Sequence, residues 1–482
     1  MIAKYFIGAG LMLAAGLQGN CMTNKTSKIE NKPNIIYILV DDLGYGELGC
    51  YGQDKINTPV VDQMAKEGMK FTNYYAGAPV CAPSRCVLLT GKHLGHSFIR
   101  NNKGIGGRKK DPAKGIWPGD AAIPTQEKTI AEYMKEAGYA TGAIGKWGLG
   151  IEGSTGHPNK QGFDYFYGYL NQVHAHSHYP YFLWENDKKD WLKGNTRGNS
   201  GIHSQDKFDE KAENFIRTHK DEPFFLYYPI ILPHTFVQAN EEYVEPYKGK
   251  FPALGNGKKE NSLGLAGYAG MVSQMDAAVG KVLNLLKELN IDDNTLVIFT
   301  SDNGASPISK NDFFKSTAGL RGKKRYLYEG GIKTPMIARW PGKIKAGSVC
   351  DFQGAFWDVL PTCCELAGVK VDQPTDGISF VDAMLTGKNK VNHDHLYWEF
   401  PNRVEQGQAA IIKGTWKLRL SKLTTGNPDI ELFELKNDPY EKTNLKDKHP
   451  NKVKELIAIM KEEHSHSELF PSKEYEAFLM QN

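Results

Sequence analysis

Apolar runs and stretches of helical spacing alternate along most of this chain. "NIIYILVDD" (residues 34–42) is a β-branched run that ends in two acids, the pattern of a strand buried on both faces. "TPVVDQMAKEGMKF" (58–71) has helical spacing. "TIAEYMKEAGYATGAIGKWGLG" (129–150) predicts a helix, then a short strand ending at Lys146. "KAENFIRTHKDEPFFLYYPIILPH" (211–234) predicts a helix, then a strand ending at His234. Residues 265–304 predict a long helix, then a strand ending at Asp302 and Asn303. This alternation predicts an α/β fold, a large parallel or mixed β-sheet flanked by helices on both faces. The texture changes after about residue 390. "HLYWEF", "QAAIIKGTWKLRL" and "IELFEL" are short strand-like runs, followed by the helical "NKVKELIAIMKEEH". They predict a smaller C-terminal antiparallel sheet plus helix. The expected boundaries are a main domain over 33–390 and a C-terminal subdomain over 391–482.

The polar positions carry the chemistry. Asp41, Asp42, Lys146, His234, Asp302 and Asn303 all fall at carboxyl ends of predicted strands, the edge where open α/β sheets bind ligands. Each alone reads equally as a turn residue after a strand. Together they predict one site. Asp41, Asp42, Asp302 and Asn303 are hard oxygen donors suited to a divalent cation, with Ca²⁺ accepting more such ligands than Mg²⁺. No Cys/His cluster competes for zinc or copper. Arg85, Lys146 and the pair Lys323/Lys324 supply cations for a tetrahedral oxyanion, sulfate or phosphate. His234 is placed to protonate a departing alcohol, or is a satisfied core histidine. In "VCAPSRCVLLTGKHLGH" (80–96) Cys81 stands close to Arg85, which is expected to lower the thiol pKa and hold an anion. The same run also reads as a buried Cys at a helix start signalled by Pro83 and Ser84.

Composition narrows the partners. Fifty-nine Lys and Arg against 55 Asp and Glu give a net charge of +4 with no dense basic block, so nucleic acid is not an expected partner. The first residues combine Lys4 with a short apolar run over 5–17, a secretory signal over 1–20 rather than a membrane span. Residues 21–32 read as a linker. Cys21 is a candidate lipid anchor, although Gln18, Gly19 and Asn20 match a bacterial lipoprotein signal poorly. The expectation is an exported protein, periplasmic or cell-surface in a bacterium. The seven cysteines show no zinc spacing, and Cys350 could pair with Cys363 or Cys364.

"CAPSRCVLLTG" resembles the C-x-P-S-R…T-G signature of the type I, formylglycine-dependent sulfatases of the alkaline-phosphatase-like superfamily. "NIIYILVDDLGYGELGCYG", "GKWGLG", "LPH", "TSDNG", "LRGKKRYLYEGGIKTP" and "ELFELKNDPYEKTNL" follow in that family's order. The resemblance implies an exported sulfatase acting on sulfate esters, with O-sulfated carbohydrates of glycan or glycosaminoglycan type as the expected substrates. It implies that a formylglycine-generating maturation enzyme oxidises Cys81 to formylglycine, whose hydrated aldehyde attacks sulfur. It assigns Ca²⁺ to Asp41, Asp42, Asp302 and Asn303 with position 81. Arg85 would hold the diol and its loop, Lys146 and Lys324 the sulfate, and His234 would be the general acid. Gly148 departs from the family's G-K-W-H-L-G, where His takes the proton in the elimination step. His174 and His176 in "NQVHAHSHYP" are nearby candidates for that proton transfer, for binding the substrate sugar, or for capping their loop. Two readings remain beside this one. One is a phosphodiesterase or phosphonate hydrolase of the same superfamily; the other is an inactive relative that only binds sulfated glycans.

Overall fold

A computed structural model describes residues 32–102, 104–105, 119–195, 200–253, 263–308 and 312–482. The expected leader, Cys21 and all of the linker except Lys32 lie outside the described residues. The strand Asn34–Val40 is fully buried and lies between Phe224–Ile230 and Thr295–Ser301, parallel to both. Ala140–Lys146 continues the parallel run beside Phe224–Ile230, and Tyr165–Tyr169 beside that. Antiparallel partners on both sides complete ten strands. The sheet is therefore large and mixed, as the alternation of elements predicts.

Burial on both faces explains the unbroken apolar runs. Ile36, Ile38 and Val40 pack with the helices Pro59–Glu67, Ser204–Thr218 and Gly264–Glu288. Strand alternation sends Ile35, Tyr37 and Leu39 to the other face. There Tyr37 lies near Cys363 in the helix Val359–Ala367, which packs with Cys81–Thr90 and Ile130–Glu136.

Two boundaries differ from expectation. The strand before His234 stops at Ile230, and the chain turns so that the His234 N–H donates to the Ile231 carbonyl at 3.0 Å. Pro233 has no N–H to continue a ladder. After the helix Pro450–Glu463 a second one, Lys473–Gln481, buries Tyr475, Phe478 and Leu479. Cys50, Cys81, Cys86, Cys350, Cys363 and Cys364 are all unpaired, so Cys350 is joined to neither Cys363 nor Cys364.

The strands Leu396–Phe400, Gln408–Lys413, Trp416–Ser421 and Asp429–Glu434 form the separate antiparallel sheet. Residues 32–482 nevertheless form one compact unit. The buried Lys417 ammonium binds Glu329 and Glu441, each at 2.9 Å. The Gln408 side chain accepts from Leu327 N and donates to the Arg325 carbonyl, both at 2.9 Å. The small sheet thus grips the loop that carries Lys324.

Glu47 anchors the loop after the first strand. It accepts from Gly44 N at 2.6 Å and from the Tyr268 hydroxyl at 2.7 Å. Burial pushes its carboxyl up to about 7 against these hydrogen bonds. The folded protein then binds this proton more tightly than the unfolded chain. The stability it contributes is full below about 4.5 and declines as pH rises to about 7, by about 3 kcal/mol. Glu47→Gln should lack that decline. The difference in unfolding free energy between the variant and the wild type should therefore grow in favour of the variant across this window. Parallel pH profiles from denaturant titrations would show that Glu47 does not titrate there.

Candidate active site

Four neighbouring parallel strands deliver the expected residues to one edge of the sheet. Asp41 and Asp42 follow Val40, Asp302 and Asn303 follow Ser301, Lys146 ends its strand, and His234 follows the turn after Ile230. Asp42 has a left-handed backbone (φ 65°), uncommon for a residue other than glycine and the kind of strain found at functional sites. Cys81 is the first residue of a helix whose ten residues are all buried. Its Sγ is 3.3 Å from Asp41 Oδ1 and 3.5 Å from Lys324 Nζ.

Three carboxylates face three cations. Lys146 Nζ lies 2.6 Å from Asp41 Oδ2, and Lys324 Nζ 2.6 Å from Asp42 Oδ1. Arg85 donates to Asp302 Oδ2 from Nε at 3.1 Å and from Nη2 at 2.7 Å, and to the Lys146 carbonyl at 2.7 Å. Burial is the largest single influence on Asp41 and opposes its charge, but Lys146, His234, Arg85 and Lys324 together outweigh it and hold its carboxyl well below the usual range. Asp302 goes the other way: burial and the nearby Asp41 push it up to about 6 despite Arg85.

Arg85 does not do to Cys81 what its place in the sequence suggests. Its guanidinium is spent on Asp302 and on the backbone of Lys146. Burial, with Asp41 adding to it, pushes the Cys81 thiol up to about 12, the reverse of the expected lowering.

His234 Nδ1 lies 2.5 Å from the Thr235 carbonyl, so that nitrogen carries a proton and Nε2 faces Asp42 Oδ2 at 3.5 Å. Burial lowers its pKa to about 4 against the two aspartates. The two candidate substrate histidines separate. His176 lines the cavity and stacks on His234, with ring centroids 4.8 Å apart. His174 is buried between Tyr169 and Phe182 and is not part of the cavity wall.

The cavity is about 560 Å³ and is lined by Cys81, Lys146, His234, Lys323 and Lys324 among others. Its wall also includes Gln172, and Asn102 and Asp120, which sequence reasoning missed. Asp120 is the second residue of the two-residue strand Gly119–Asp120, a Gly-Asp pair that looks like an ordinary turn in the sequence. Burial raises its carboxyl to about 7, opposed by the Gln172 N–H and by Lys146. From the segment around the two histidines, Gln172, Val173 and His176 reach this cavity, as does Val404 near the small sheet. Phe400, Pro401, Asn402 and Arg403 line a second one of about 310 Å³.

The donor set suits a hard cation. Asp41, Asp42, Cys81 and His234 each offer a ligand atom, all within 4.8 Å of one another. Asn303 Oδ1 is buried with no hydrogen-bond partner, although Nδ2 of the same amide donates to Asp42 Oδ1 at 2.8 Å. A partnerless amide oxygen among carboxylates is a ligand group for such an ion. The charges also fit. A divalent cation added to the balanced set leaves two positive charges, the complement of a sulfate dianion.

A Sulfatase family model matches residues 33–369. The chain belongs to the sulfatase family. A second family model, for the N-sulphoglucosamine sulphohydrolase C-terminal region, matches residues 322–468. That match takes in the Lys324 loop together with the small sheet that grips it. The N-acetylgalactosamine-6-sulfatase of Canis lupus familiaris is 35% identical over 374 residues, covering 74% of this chain and 66% of that one. This chain therefore spans about two thirds of that relative's length. The N-acetylgalactosamine-6-O-sulfatase of Bacteroides thetaiotaomicron is 31% identical over 89% of this chain and 92% of its own. Among solved structures, Ps i-CgsB in complex with k-i-k-neocarrahexaose superposes with a TM-score of 0.75 at 29% identity, covering 90% of this chain and 92% of that one. The fold is accordingly alkaline-phosphatase-like.

Proposed function

We propose that this sulfatase hydrolyses sulfate esters of carbohydrates, with a nucleophile made from Cys81 and a calcium ion bound by Asp41, Asp42, Asp302, Asn303 and residue 81. The observation that carries the reading is the meeting of Cys81 with three carboxylates and three cations in one buried cluster. The relatives' names point to sulfated amino sugars as the first substrates to try. In the same reading the protein is exported, with its leader removed and Cys81 converted before folding.

Formylglycine at position 81, hydrated, would supply two hydroxyls on one carbon, a nucleophile for sulfur and a second group to release sulfate afterwards. The cation would lower the cost of gathering negative charge there. The chain's own residues do the rest. Lys146 and Lys324 bind the sulfate oxygens, the two ammonium groups that already border residue 81 and Asp41. Arg85 positions Asp302 and the end of the Lys146 strand. His234 Nε2 donates a proton to the departing oxygen. In the free pocket burial keeps this imidazole neutral. An anionic ester raises its pKa, so the proton comes with the substrate.

Matched sulfate and phosphate esters test the reading. Sulfate esters should be turned over faster; a preference for phosphate would favour the phosphohydrolase alternative. His234→Ala should lose about 10²- to 10⁴-fold on a sugar sulfate, the scale of general acid catalysis, but far less on 4-nitrophenyl sulfate, whose leaving group needs little protonation. Equal losses on both would make His234 a sulfate-binding residue instead.

A further inference from the structure

Gly148 lies two residues beyond Lys146 and has φ 81°. A Cβ there would sit 1.7 Å from Gln172 Nε2. The Gln172 side chain therefore fills the space that any larger residue at 148 would need. The fold holds it there. Trp147 N and Gly148 N donate to the carbonyls of Tyr169 and Leu170, at 2.9 and 3.0 Å. Asn171 Oδ1 accepts from Val173 N at 2.8 Å and His174 N at 3.1 Å, which sets the turn around Gln172.

Gln172 is 8% exposed, and its Nε2 has no hydrogen-bond partner. A buried amide donor without an acceptor is costly unless something brings one. Beside it, Asp120 Oδ2 accepts from Gln172 N at 2.7 Å. Both side chains line the cavity that contains Cys81 and Lys146. Lys146 and Lys324 supply the cations for the anionic sulfate group, and a carboxyl offers it no attraction, which leaves Asp120 for the alcohol part of the substrate. A donor and an acceptor held together complement a hydroxyl, which both donates and accepts.

We infer that Asp120 and Gln172 form a specificity station that reads a free hydroxyl on the sugar whose sulfate is removed. Asp120 accepts a hydrogen bond from the hydroxyl, and Gln172 Nε2 donates to an oxygen of the same ring. Gly148 is the cavity that admits the amide. The inference rests on the sulfatase reading above and deepens it.

The test compares Asp120→Asn and Gln172→Ala with the wild type on two kinds of substrate. One is 4-nitrophenyl sulfate, whose aryl group has no hydroxyl to read. The other is the best substrate among 6-sulfated galactose, glucose, N-acetylgalactosamine and N-acetylglucosamine, with its monodeoxy analogues. On the sugar, kcat/KM should fall on the order of 10- to 100-fold, the effect of leaving one buried polar group unpaired. On the aryl ester it should change less than about threefold. The wild type should prefer the parent sugar over one deoxy analogue, and both variants should treat that pair alike. A merely structural role would not move that ratio. Gly148→Ala, which displaces the amide, should reproduce the Gln172→Ala defect and add nothing to it in the double variant. Equal losses on both ester types, or an unchanged deoxy preference, would overturn the inference. So would a wild type that cleaves the aryl ester but none of the sugars. A wild type that cleaves neither ester overturns the function reading itself.

Discussion

Cys81→Ala should fold and yet lose turnover by roughly 10⁴- to 10⁶-fold, the range seen when a covalent nucleophile is removed. The side chain is small and buried at the start of a helix, and its hydrogen-bond partners among the described residues are Asp41 and Lys324. Its loss costs little packing, but no other group stands at the junction of the carboxylates and the lysines. The unconverted protein should be nearly as inert as the variant. A thiol pushed up to about 12 is almost wholly protonated at neutral pH, and a neutral thiol is a poor nucleophile and a poor ligand for a hard cation. Conversion replaces H₂S by one oxygen and should appear as that mass change in the peptide spanning residue 81. The converted fraction should track specific activity across preparations made with and without a maturation enzyme. Full activity in unconverted protein would place the nucleophile elsewhere.

Much of this architecture was legible because the signals are local. A strand buried on both faces must read as an unbroken apolar run, so an acid that ends the run marks the sheet edge. Asp41, Asp42, Asp302 and Lys146 were placed in this way. His234 was placed less well, because its apolar run continues through Ile231 and Leu232 after the strand has stopped. Burial in a turn and burial in a strand leave the same mark in the sequence.

Arg85 shows the limit on the side of chemistry. Four residues after Cys81 on a helix, it could have faced the thiol. What turns it away is Asp302, more than two hundred residues distant in the chain. Asp120 was invisible for a related reason: it belongs to no periodic run. The role of Gln172 was hidden too, because its position depends on the absence of a side chain at Gly148. His174 and His176 sit two residues apart, yet a single 3₁₀ turn sends one into the core and the other to the cavity.

Removing calcium should lower stability as well as activity. Asp41, Asp42 and Asp302 converge with the partnerless Asn303 Oδ1, and their three charges are balanced only by Lys146, Lys324 and Arg85. Those cations would also be wanted by the substrate. Lys146 and Lys324 lie 2.6 Å from Asp41 and Asp42; a divalent ion held by those carboxylates would leave the two ammonium groups for the sulfate. Exhaustive chelation should therefore lower the Tm, and Ca²⁺ should restore it. The restored stability should grow with the logarithm of free ion concentration, as expected for a ligand that binds only the folded state. At 100 times the dissociation constant the gain is about 2.7 kcal/mol. Ca²⁺ should restore more than Mg²⁺, since a loose set of carboxylates and an amide suits the larger ion. Asp302→Asn removes one of the charges and should weaken this Ca²⁺-dependent shift in Tm. Sulfate binding, measured by calorimetry, should tighten when Ca²⁺ is added. A Tm and a sulfate affinity that ignore both chelator and Ca²⁺ would mean that the three lysine and arginine partners alone complete the site.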